Sequence, residues 1–573
     1  MIFLFSIWCA FCCVAANEVT ARQGLGILRW IKSDFYYFLL NLILFISPPL
    51  LFYGAAGFLF VPCLCFALIS AALANVSHFK RAARNEPLYA SDLLLFFKVA
   101  SVSDKSNIHI TRYNAASLLI YAAGLAPTFF LAPEKRGLTP IIFITSIIII
   151  ACVILFIAFD GTDDFIYSMK GLLFGFVSNV YLYFKKPEAP PGEKITRDYF
   201  FSVKETSAEP ALKPTVIMLL SESFWDATKL PGLEFSREPL PNFKKLRETC
   251  ASGNLIVTPF GGGTCNVESE ILTGVPARYF NQTKSFFHGC ATCPLPSLAR
   301  VFRENGYEAR GLHTFDKNFY GRDKAFEMFG FESFKGKENL INPGYDGSYI
   351  SDGELTKMII ETFEAKKKPA FIFAVSMQNH QPYGKNKYDH RPVELLNSDL
   401  SENLRHVAEA YAHGLYDADR ELAALVGYFS NSNEPVDILF FGDHLAALGP
   451  AFGLYRRTGF ISNNAELSTE EIRKLYSTEF ILWSNYKNDK KHYPDTSSNF
   501  LGNILLNHSG ISKPEFYYFL DEIYSEWTCV NRGDLFVDSK GNAFGFAPDG
   551  FMRIEAEYGR VAKEMVLSSR KGF

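Results

Sequence analysis

Three segments of this 573-residue chain place chemistry-bearing side chains directly after an apolar run. Lys213-Pro-Thr-Val-Ile-Met-Leu-Leu220 leads into Ser221-Glu222-Ser223-Phe224-Trp225. Pro369-Ala-Phe-Ile-Phe-Ala-Val375 leads into Ser376-Met-Gln-Asn-His380, and Val436-Asp-Ile-Leu-Phe-Phe-Gly442 into Asp443-His444. Such runs predict buried strands, and open α/β sheets keep their sites at the carboxyl ends of parallel strands. Asp443 and His444 offer the oxygen and imidazole donors that a hard or borderline cation takes, and Glu222 is a carboxylate at such a strand end. A fourth segment, Pro259-Phe-Gly-Gly-Gly-Thr264-Cys-Asn-Val-Glu268, sets three glycines before a helix-like stretch that stops near Gly274-Val-Pro276. Glycines let a backbone approach a phosphate, and a helix start supplies N–H groups and the positive dipole end. Thr264 stands at that start, where a metal and the helix together lower a hydroxyl's pKa enough to make it a nucleophile.

Each feature has a plainer reading: a solvent-facing Glu, a Thr that only caps a helix, a structural Asp–His pair. What favours chemistry is the coincidence of three strands delivering polar residues at one end. The glycine segment matches neither the Walker pattern nor the dinucleotide fingerprint. Between the strands, Gly311-Leu-His313-Thr-Phe-Asp-Lys-Asn-Phe-Tyr320-Gly-Arg322-Asp323 supplies Arg322, whose planar fork suits a phosphate, and Tyr320, whose ring could cover a small polyol. Taken alone, it reads as a surface Arg–Asp pair beside an aromatic cluster. His288, His390, His406 and His413 have no partner in the pattern and are read as surface or core residues.

The elements that position these residues divide into two unlike halves. Apolar stretches at about 35–52, 54–75, 115–131 and 139–159 each approach the roughly 20 residues of a bilayer crossing, with a break expected at Pro48-Pro49. Residues 1–16 form a fifth run, read as a first helix, a signal peptide ending near Ala15-Ala16, or a truncated start. Under the first two readings the C-terminal half lies outside the cytoplasm, although Lys80, Arg81, Arg84, Lys98, Lys105 and Arg112 load the 76–114 loop with charge that favours the inside. Residues 171–184 read as an interfacial helix and 185–192 as a hinge. The expected organisation is a transmembrane domain over 1–160, a juxtamembrane connector over 161–212 and an extracytoplasmic domain over 213–573. The last is an α/β domain with a central, mostly parallel sheet and a smaller sheet near the C-terminus, from Glu515–Phe519 and a hairpin at 534–542.

Composition excludes one class. With 57 basic against 60 acidic residues and a net charge of −3, no basic surplus marks a nucleic-acid partner. Six of the eleven cysteines sit in apolar runs, where Cys acts as a small hydrophobe. Cys290 and Cys293 form a C-x-x-C without a second pair at zinc spacing; a disulfide suits an extracytoplasmic domain, and the sequence assigns no pairing.

Together these segments resemble the lipoteichoic acid synthases and the broader sulfatase-like phosphoglycerol transferases of bacterial envelopes, members of the alkaline phosphatase superfamily. The shared pattern is Ser221-Glu-Ser-Phe224, Gly261-Gly-Gly-Thr264 with Glu268, Glu270 and Leu272-Thr-Gly274, Phe319-Tyr-Gly-Arg-Asp323, Asn379-His-Gln-Pro-Tyr383 and Phe441-Gly-Asp-His444. The resemblance implies an N-terminal helical transmembrane bundle before a sulfatase-like domain, in a multi-pass protein of the bacterial inner membrane. It implies that Glu222, Thr264, Asp443 and His444 hold one divalent ion, manganese or else magnesium, and that Thr264 becomes covalently phosphoglycerylated. His313, Tyr320, Arg322 and His380 match the positions that grip phosphoglycerol. The donor is then a phosphatidylglycerol-type phospholipid, and the acceptor an envelope glycan, glycolipid or polyglycerophosphate chain. The chain departs from lipoteichoic acid synthases at Tyr320, where those enzymes typically carry Trp, and at Gly289-Cys-Ala-Thr-Cys293. Competing readings are a phosphoethanolamine transferase, a phosphodiesterase and a silent envelope scaffold. A sulfatase that matures Cys or Ser in C/S-x-P-x-R is disfavoured, because Cys265 is followed by Asn-Val-Glu-Ser.

Overall fold

The computed structural model describes residues 2–22, 31–32, 34–56, 60–84, 88, 112–130, 144, 147, 172–184, 195–203, 212–279, 287, 293–389, 392–397, 399–464 and 466–570. The chain separates into two compact units, Met1–Lys186 and Pro187–Phe573. The expected span at 139–159 and Cys290 of the C-x-x-C fall outside the described residues, apart from 144 and 147.

The first unit is helical: α1 (Ile2–Arg22), α2 (Phe35–Ala56), α3 (Phe60–Arg84), α4 (Arg112–Phe130) and α5 (Leu172–Phe184). Two segments, Phe35–Tyr53 and Phe60–His78, are long and apolar enough to cross a membrane. The break expected at Pro48-Pro49 does not occur, since both prolines lie inside α2. In apolar surroundings a broken helix would expose more backbone polar groups than the two prolines remove, and neighbouring helices hold such a helix intact. Polar side chains clip this unit together. Glu18 Oε1 accepts the Leu172 N–H (2.5 Å) and Asn41 Oδ1 the Phe174 N–H (2.9 Å), so α1 and α2 serve the otherwise unpaired first turn of α5. The Tyr121 hydroxyl donates to Asn17 Oδ1, joining α4 to α1.

The second unit is built on eight strands: β1 (Thr215–Ser221), β2 (Ala251–Ile256), β3 (Glu308–His313), β4 (Ser333–Lys335), β5 (Ala370–Val375), β6 (Val436–Gly442), β7 (Ser477–Ser484) and β8 (Thr496–Ser497). Their order across the sheet is β8-β2-β7-β6-β1-β5-β3-β4. All neighbours pair in parallel except β7, which runs antiparallel to both β6 and β2. β1, β5 and β6 are buried along their whole length, as a sheet covered on both faces requires. Register brings the last residues of four strands level in two pairs: Ser221 of β1 opposite Gly442 of β6, and His313 of β3 opposite Val375 of β5.

Packing under those strand ends is close. Phe224 meets Phe440 edge-on with centroids 4.7 Å apart, and Phe243 at 4.9 Å. A Cβ on Gly442 would stand 2.0 Å from the Phe224 carbonyl oxygen, so only glycine lets β6 and the turn after β1 approach this far. Towards the C-terminus the hairpin expectation holds: Trp527–Cys529, Phe536–Asp538 and Ala543–Phe544 form a three-stranded antiparallel sheet. The expectation of a strand at Glu515–Phe519 is overturned, for Glu515–Glu526 is a helix. Phe516, Leu520 and Ile523 recur at helical spacing and bury one face, and that period outweighs the β preference of an aromatic run.

Replacing Gly442 by Ala is expected to destabilise the fold by about 1–3 kcal/mol, the usual cost of overpacking. Chemical unfolding of the full chain in detergent measures it.

Candidate functional site

The strand ends gather a buried acidic centre. Glu222 follows β1, and Asp443-His444 follow β6; the three are 3 %, 0 % and 2 % exposed. One donor atom from each lies within 4.8 Å of the others. Asp443 Oδ1 accepts the backbone N–H of Ser223 (2.8 Å) and of His444 (2.9 Å). The Ser223 hydroxyl donates to Glu222 Oε1 (2.8 Å), and the Glu222 N–H donates to Ser376 Oγ after β5 (2.9 Å). His444 Nδ1 faces the Leu445 carbonyl at 3.1 Å, which makes it the donor nitrogen of the neutral ring. Nε2 then turns its lone pair towards Asp443 Oδ2 at 3.2 Å and Glu222 Oε1 at 3.7 Å. Burial, and next the Asp443 carboxylate, hold Glu222 well above the usual carboxylate range. Three acceptors facing one another, with Glu222 held in a buried acidic pocket, fit a single divalent cation of the kind that oxygen and imidazole donors select.

Thr264 closes this centre. Gly261, Gly262 and Gly263 all take positive φ (64°, 138° and 93°), delivering the chain into the helix Thr264–Thr273 with Gly263 as its left-handed N-cap. The Thr264 hydroxyl donates to Asp443 Oδ2 at 2.8 Å. One turn on, Glu268 shares its face at i+4 and takes Arg322 in a two-point pair: Nη2 to Oε1 at 2.6 Å and Nε to Oε2 at 3.1 Å. Both partners are buried, and Arg322 Nη1 is a buried donor with no hydrogen-bond partner among the described residues. Arg322 begins the helix Arg322–Phe329, entered through Tyr320 (φ 60°) and Gly321 (φ 70°). Tyr320 is a non-glycine residue held in the left-handed region, a conformation that persists only under surrounding constraint.

His313 ends β3 and sets Nδ1 against the Val375 carbonyl at 2.9 Å, leaving Nε2 as an acceptor. Burial first, then the Arg322 cation, keep this imidazole well below its ordinary value, and His380 adds in the same direction. His380 Nδ1 lies 2.6 Å from the Gln381 carbonyl and 3.1 Å from the Tyr349 hydroxyl. The Gln381 amide donates to the Gly261 carbonyl (3.0 Å), tying this loop to the glycine turn. All eight residues singled out in the sequence therefore stand on neighbouring strand ends and loops of one sheet edge.

Sequence reasoning missed several neighbours. Lys387 is half-buried, donates to the His380 carbonyl, and lies 5.1–5.2 Å from the ring centroids of Tyr349, Tyr383 and Tyr388. Burial pulls its ammonium down to about 7, against the attraction of Glu222, Asp346 and Asp352. Nothing in its spacing marks it, because the loop after His380 folds back on itself. His413, read as an isolated histidine, sits between two carboxylates, 3.2 Å from Asp346 Oδ2 and 3.4 Å from Asp417 Oδ2; Asp346 is 67 residues away in sequence.

Comparison with known proteins places this geometry in a wider group. A family model described as Sulfatase matches residues 214–511. A Rhizobium meliloti (strain 1021) protein whose name associates it with cyclic beta-1,2-glucan modification is 33 % identical over 323 residues, 56 % of this chain and 49 % of that protein. The chain thus spans about half the length of this curated relative. Among solved structures, the Streptococcus pyogenes phosphoglycerol transferase GacH in complex with sn-glycerol-1-phosphate is 23 % identical at a TM-score of 0.50, covering 65 % of this chain and 89 % of that one. The integral membrane lipooligosaccharide phosphoethanolamine transferase A of Neisseria meningitidis is 14 % identical at a TM-score of 0.52, covering 91 % and 97 %. At these identities the two structures establish a shared fold.

Two outcomes follow from the buried charges. Glu268→Ala strands Arg322 without a counter-charge and is expected to cost about 3–5 kcal/mol in chemical unfolding. Burial, and next Asp417, raise the Asp352 carboxyl to about 7, so the folded chain keeps a proton that the unfolded chain loses near its ordinary carboxylate value, about 3.9. The stability this group contributes is full below about pH 4 and lost as pH rises to about 7. Asp352→Asn should flatten that part of the curve of melting temperature against pH.

Proposed function

The chain belongs to the sulfatase family of the alkaline phosphatase superfamily, and from that footing we propose that it transfers a phosphoglycerol head group from a phosphatidylglycerol-type lipid to an envelope glycan, through a covalent adduct on Thr264. The observation that carries this reading is the pairing of Thr264 with Asp443 at 2.8 Å beside Arg322, whose buried Nη1 has no partner among the described residues. A threonine at a helix start, next to a cation centre and an unoccupied guanidinium donor, meets the needs of phosphoryl transfer.

Glu222, Thr264, Asp443 and His444 would hold one divalent cation, manganese in this reading and magnesium otherwise, which when bound supplies Lewis acidity at the phosphoryl group. The residues of the chain do the rest. Asp443 Oδ2 accepts the Thr264 hydrogen bond and directs an oxygen lone pair away from the helix. Thr264 Oγ1 passes its proton along the hydrogen bond to Asp443 Oδ2 and attacks phosphorus; the bond from phosphorus to the diacylglycerol oxygen breaks, and that oxygen takes a proton from solvent and leaves as diacylglycerol. Arg322 Nη1 donates to a phosphoryl oxygen while Glu268 fixes the guanidinium plane. His313, kept neutral by burial, offers Nε2 to the hydroxyls of the glycerol, His380 lies alongside, and Tyr320 covers it. An acceptor hydroxyl then attacks phosphorus, its proton is released, and Thr264 Oγ1 departs and regains one.

The acceptor assignment draws on the glucan-modifying name of the Rhizobium relative; glycolipid and polyglycerophosphate chains are the other acceptors of this reading. The helical unit, taken as a multi-pass anchor over 1–160 with a connector over 161–212, would keep the catalytic domain (213–573) outside the cytoplasm of a bacterial inner membrane, next to its lipid donor.

Incubating the full chain with manganese and phosphatidylglycerol vesicles, without acceptor, should add the mass of phosphoglycerol to the peptide carrying Thr264. Thr264→Ala should abolish the adduct. A phosphoethanolamine adduct from mixed lipids moves the donor to the neighbouring class, and lipid turnover undiminished in Thr264→Ala removes the mechanism.

A further inference from the structure

A cavity of about 390 Å³ lies beside the proposed transfer centre, with Tyr345, Asp346, Gln378, Tyr416, Asp417 and Arg420 among the residues that line it. Its floor is rich in acceptors. The Gln378 amide nitrogen donates to Asp346 Oδ2 (2.9 Å) and to Asp417 Oδ2 (2.8 Å), and the Gln378 carbonyl oxygen accepts the Asp352 N–H (2.7 Å). His413 Nε2 stands between the same two carboxylates. A carboxylate offers about four lone-pair sites, so two that converge here retain capacity for a ligand that brings hydrogen-bond donors. Burial, and next a hydrogen bond shared with Asp346, push Asp417 up to about 6, against the pull of His413, Arg420 and the Gln378 amide.

The rim supplies the complementary chemistry. Tyr345 is 63 % exposed. The Tyr416 ring is backed by the Arg237 guanidinium at 5.7 Å. Arg420 pairs with Asp417 at 3.3 Å and remains exposed as a donor. Apolar ring faces beside carboxylates, an amide and a guanidinium match a sugar, whose C–H faces need a flat surface and whose adjacent hydroxyls both donate and accept. The volume falls within the 300–1,000 Å³ of small-molecule sites. Position points the same way. Gln378 precedes His380 by two residues, a reach of about 7 Å at most, and Lys387 feels both Glu222 and Asp346.

We infer that this cavity is the acceptor subsite, taking a neutral sugar unit with adjacent hydroxyls from the glycan that receives the transferred group. The inference rests on the transferase reading above. The triad Asp346–His413–Asp417 also has donor atoms close enough for a cation. However, the Gln378 N–H donors already sit on the two converging Oδ2 atoms that a metal would need, whereas hydroxyls can use the remaining lone pairs.

The test separates the two halves of the reaction. Full-length chain loaded from phosphatidylglycerol vesicles is chased with neutral β-glucan oligosaccharides, and glucan binding to the unloaded chain is followed by calorimetry. In Asp417→Asn and Tyr416→Ala the rate of adduct loss to glucan, relative to adduct formation, should fall about tenfold or more, as loss of one or two hydrogen bonds or an aromatic face implies. Tyr416→Phe should keep the wild-type ratio. Tyr416 is only half-buried, so its variants keep the test alive should Asp417→Asn fail to fold. An unchanged ratio in the folded variants overturns the proposal, as does a second manganese ion bound by the wild type and lost in Asp417→Asn with the glucan chase unaltered. If the wild type forms no adduct, the transferase reading falls while calorimetry still decides the cavity: glucan binding lost in Tyr416→Ala supports it, and no binding by the wild type overturns it.

Discussion

Two carboxylates at the ends of neighbouring parallel strands repel each other, and burial raises the cost of ionising either. Glu222 and Asp443 are in that position, and much of the second unit is arranged around keeping them there. Asp443 takes two backbone N–H groups and the Thr264 hydroxyl, while Glu222 takes the Ser223 hydroxyl. Those bonds require Ser223 to turn through φ 54°, which the Tyr411 hydroxyl secures by donating to the Ser223 carbonyl at 2.8 Å. They also require β6 to press against the Phe224 backbone, which Gly442 alone permits. Thr478 Oγ1 donates to the Gly442 carbonyl at 2.7 Å, so the antiparallel β7 anchors the same strand end. The backbone geometry thus holds a charge arrangement suited to one cation.

A second buried pair ties the nucleophile candidate to the phosphate grip. Glu268 lies four residues after Thr264 on one helix, and Arg322 begins another. Because Nε and Nη2 face Glu268, Nη1 is left for something else, and the pair fixes its direction. A buried pair of this type adds little to stability when compared with apolar side chains of equal volume. Its consequence here is positional: the hydroxyl at the helix start and the free guanidinium nitrogen move as one body.

The parts legible in the sequence were those written in local periods. β1, β5 and β6 announce themselves as apolar runs with polar residues at one end, and the glycine triplet announces a helix start, so Glu222, Thr264, Asp443 and His444 could be named from the chain alone. The structure places them together because parallel strands finish on one edge. Where a local signal misled, a longer period prevailed: Glu515–Glu526 carries an aromatic run that looks like a strand, yet Phe516, Leu520 and Ile523 commit it to a helix. Lys387, Gln378 and His413 were invisible for a different reason. Their partners lie on separate elements, Asp346 and Asp417 being 71 residues apart in numbering, and only the fold brings the loop at 345–351 against the middle of the helix Glu402–Ser430.

Charge is ordered along this sheet edge. At β1 and β6 the side chains suit a cation; at β3 and β5, Arg322 supplies positive charge and Lys387 an amine whose charge burial opposes, with neutral His313 between them; beyond Gln378, Asp346 and Asp417 form an acceptor-rich floor. A phosphodiester fits the junction of the first two zones, its anionic oxygens turned to Arg322 and its esterified oxygens towards Thr264. A water molecule needs no third zone, because it brings no hydroxyl array to be recognised. An acceptor with several hydroxyls does, and the one segment Gln378–His380 forms part of both the donor grip and the acceptor-rich floor. Under the proposed transfer, a glycan held at Gln378 would order the segment that carries His380 for the second attack, an advantage that water does not bring.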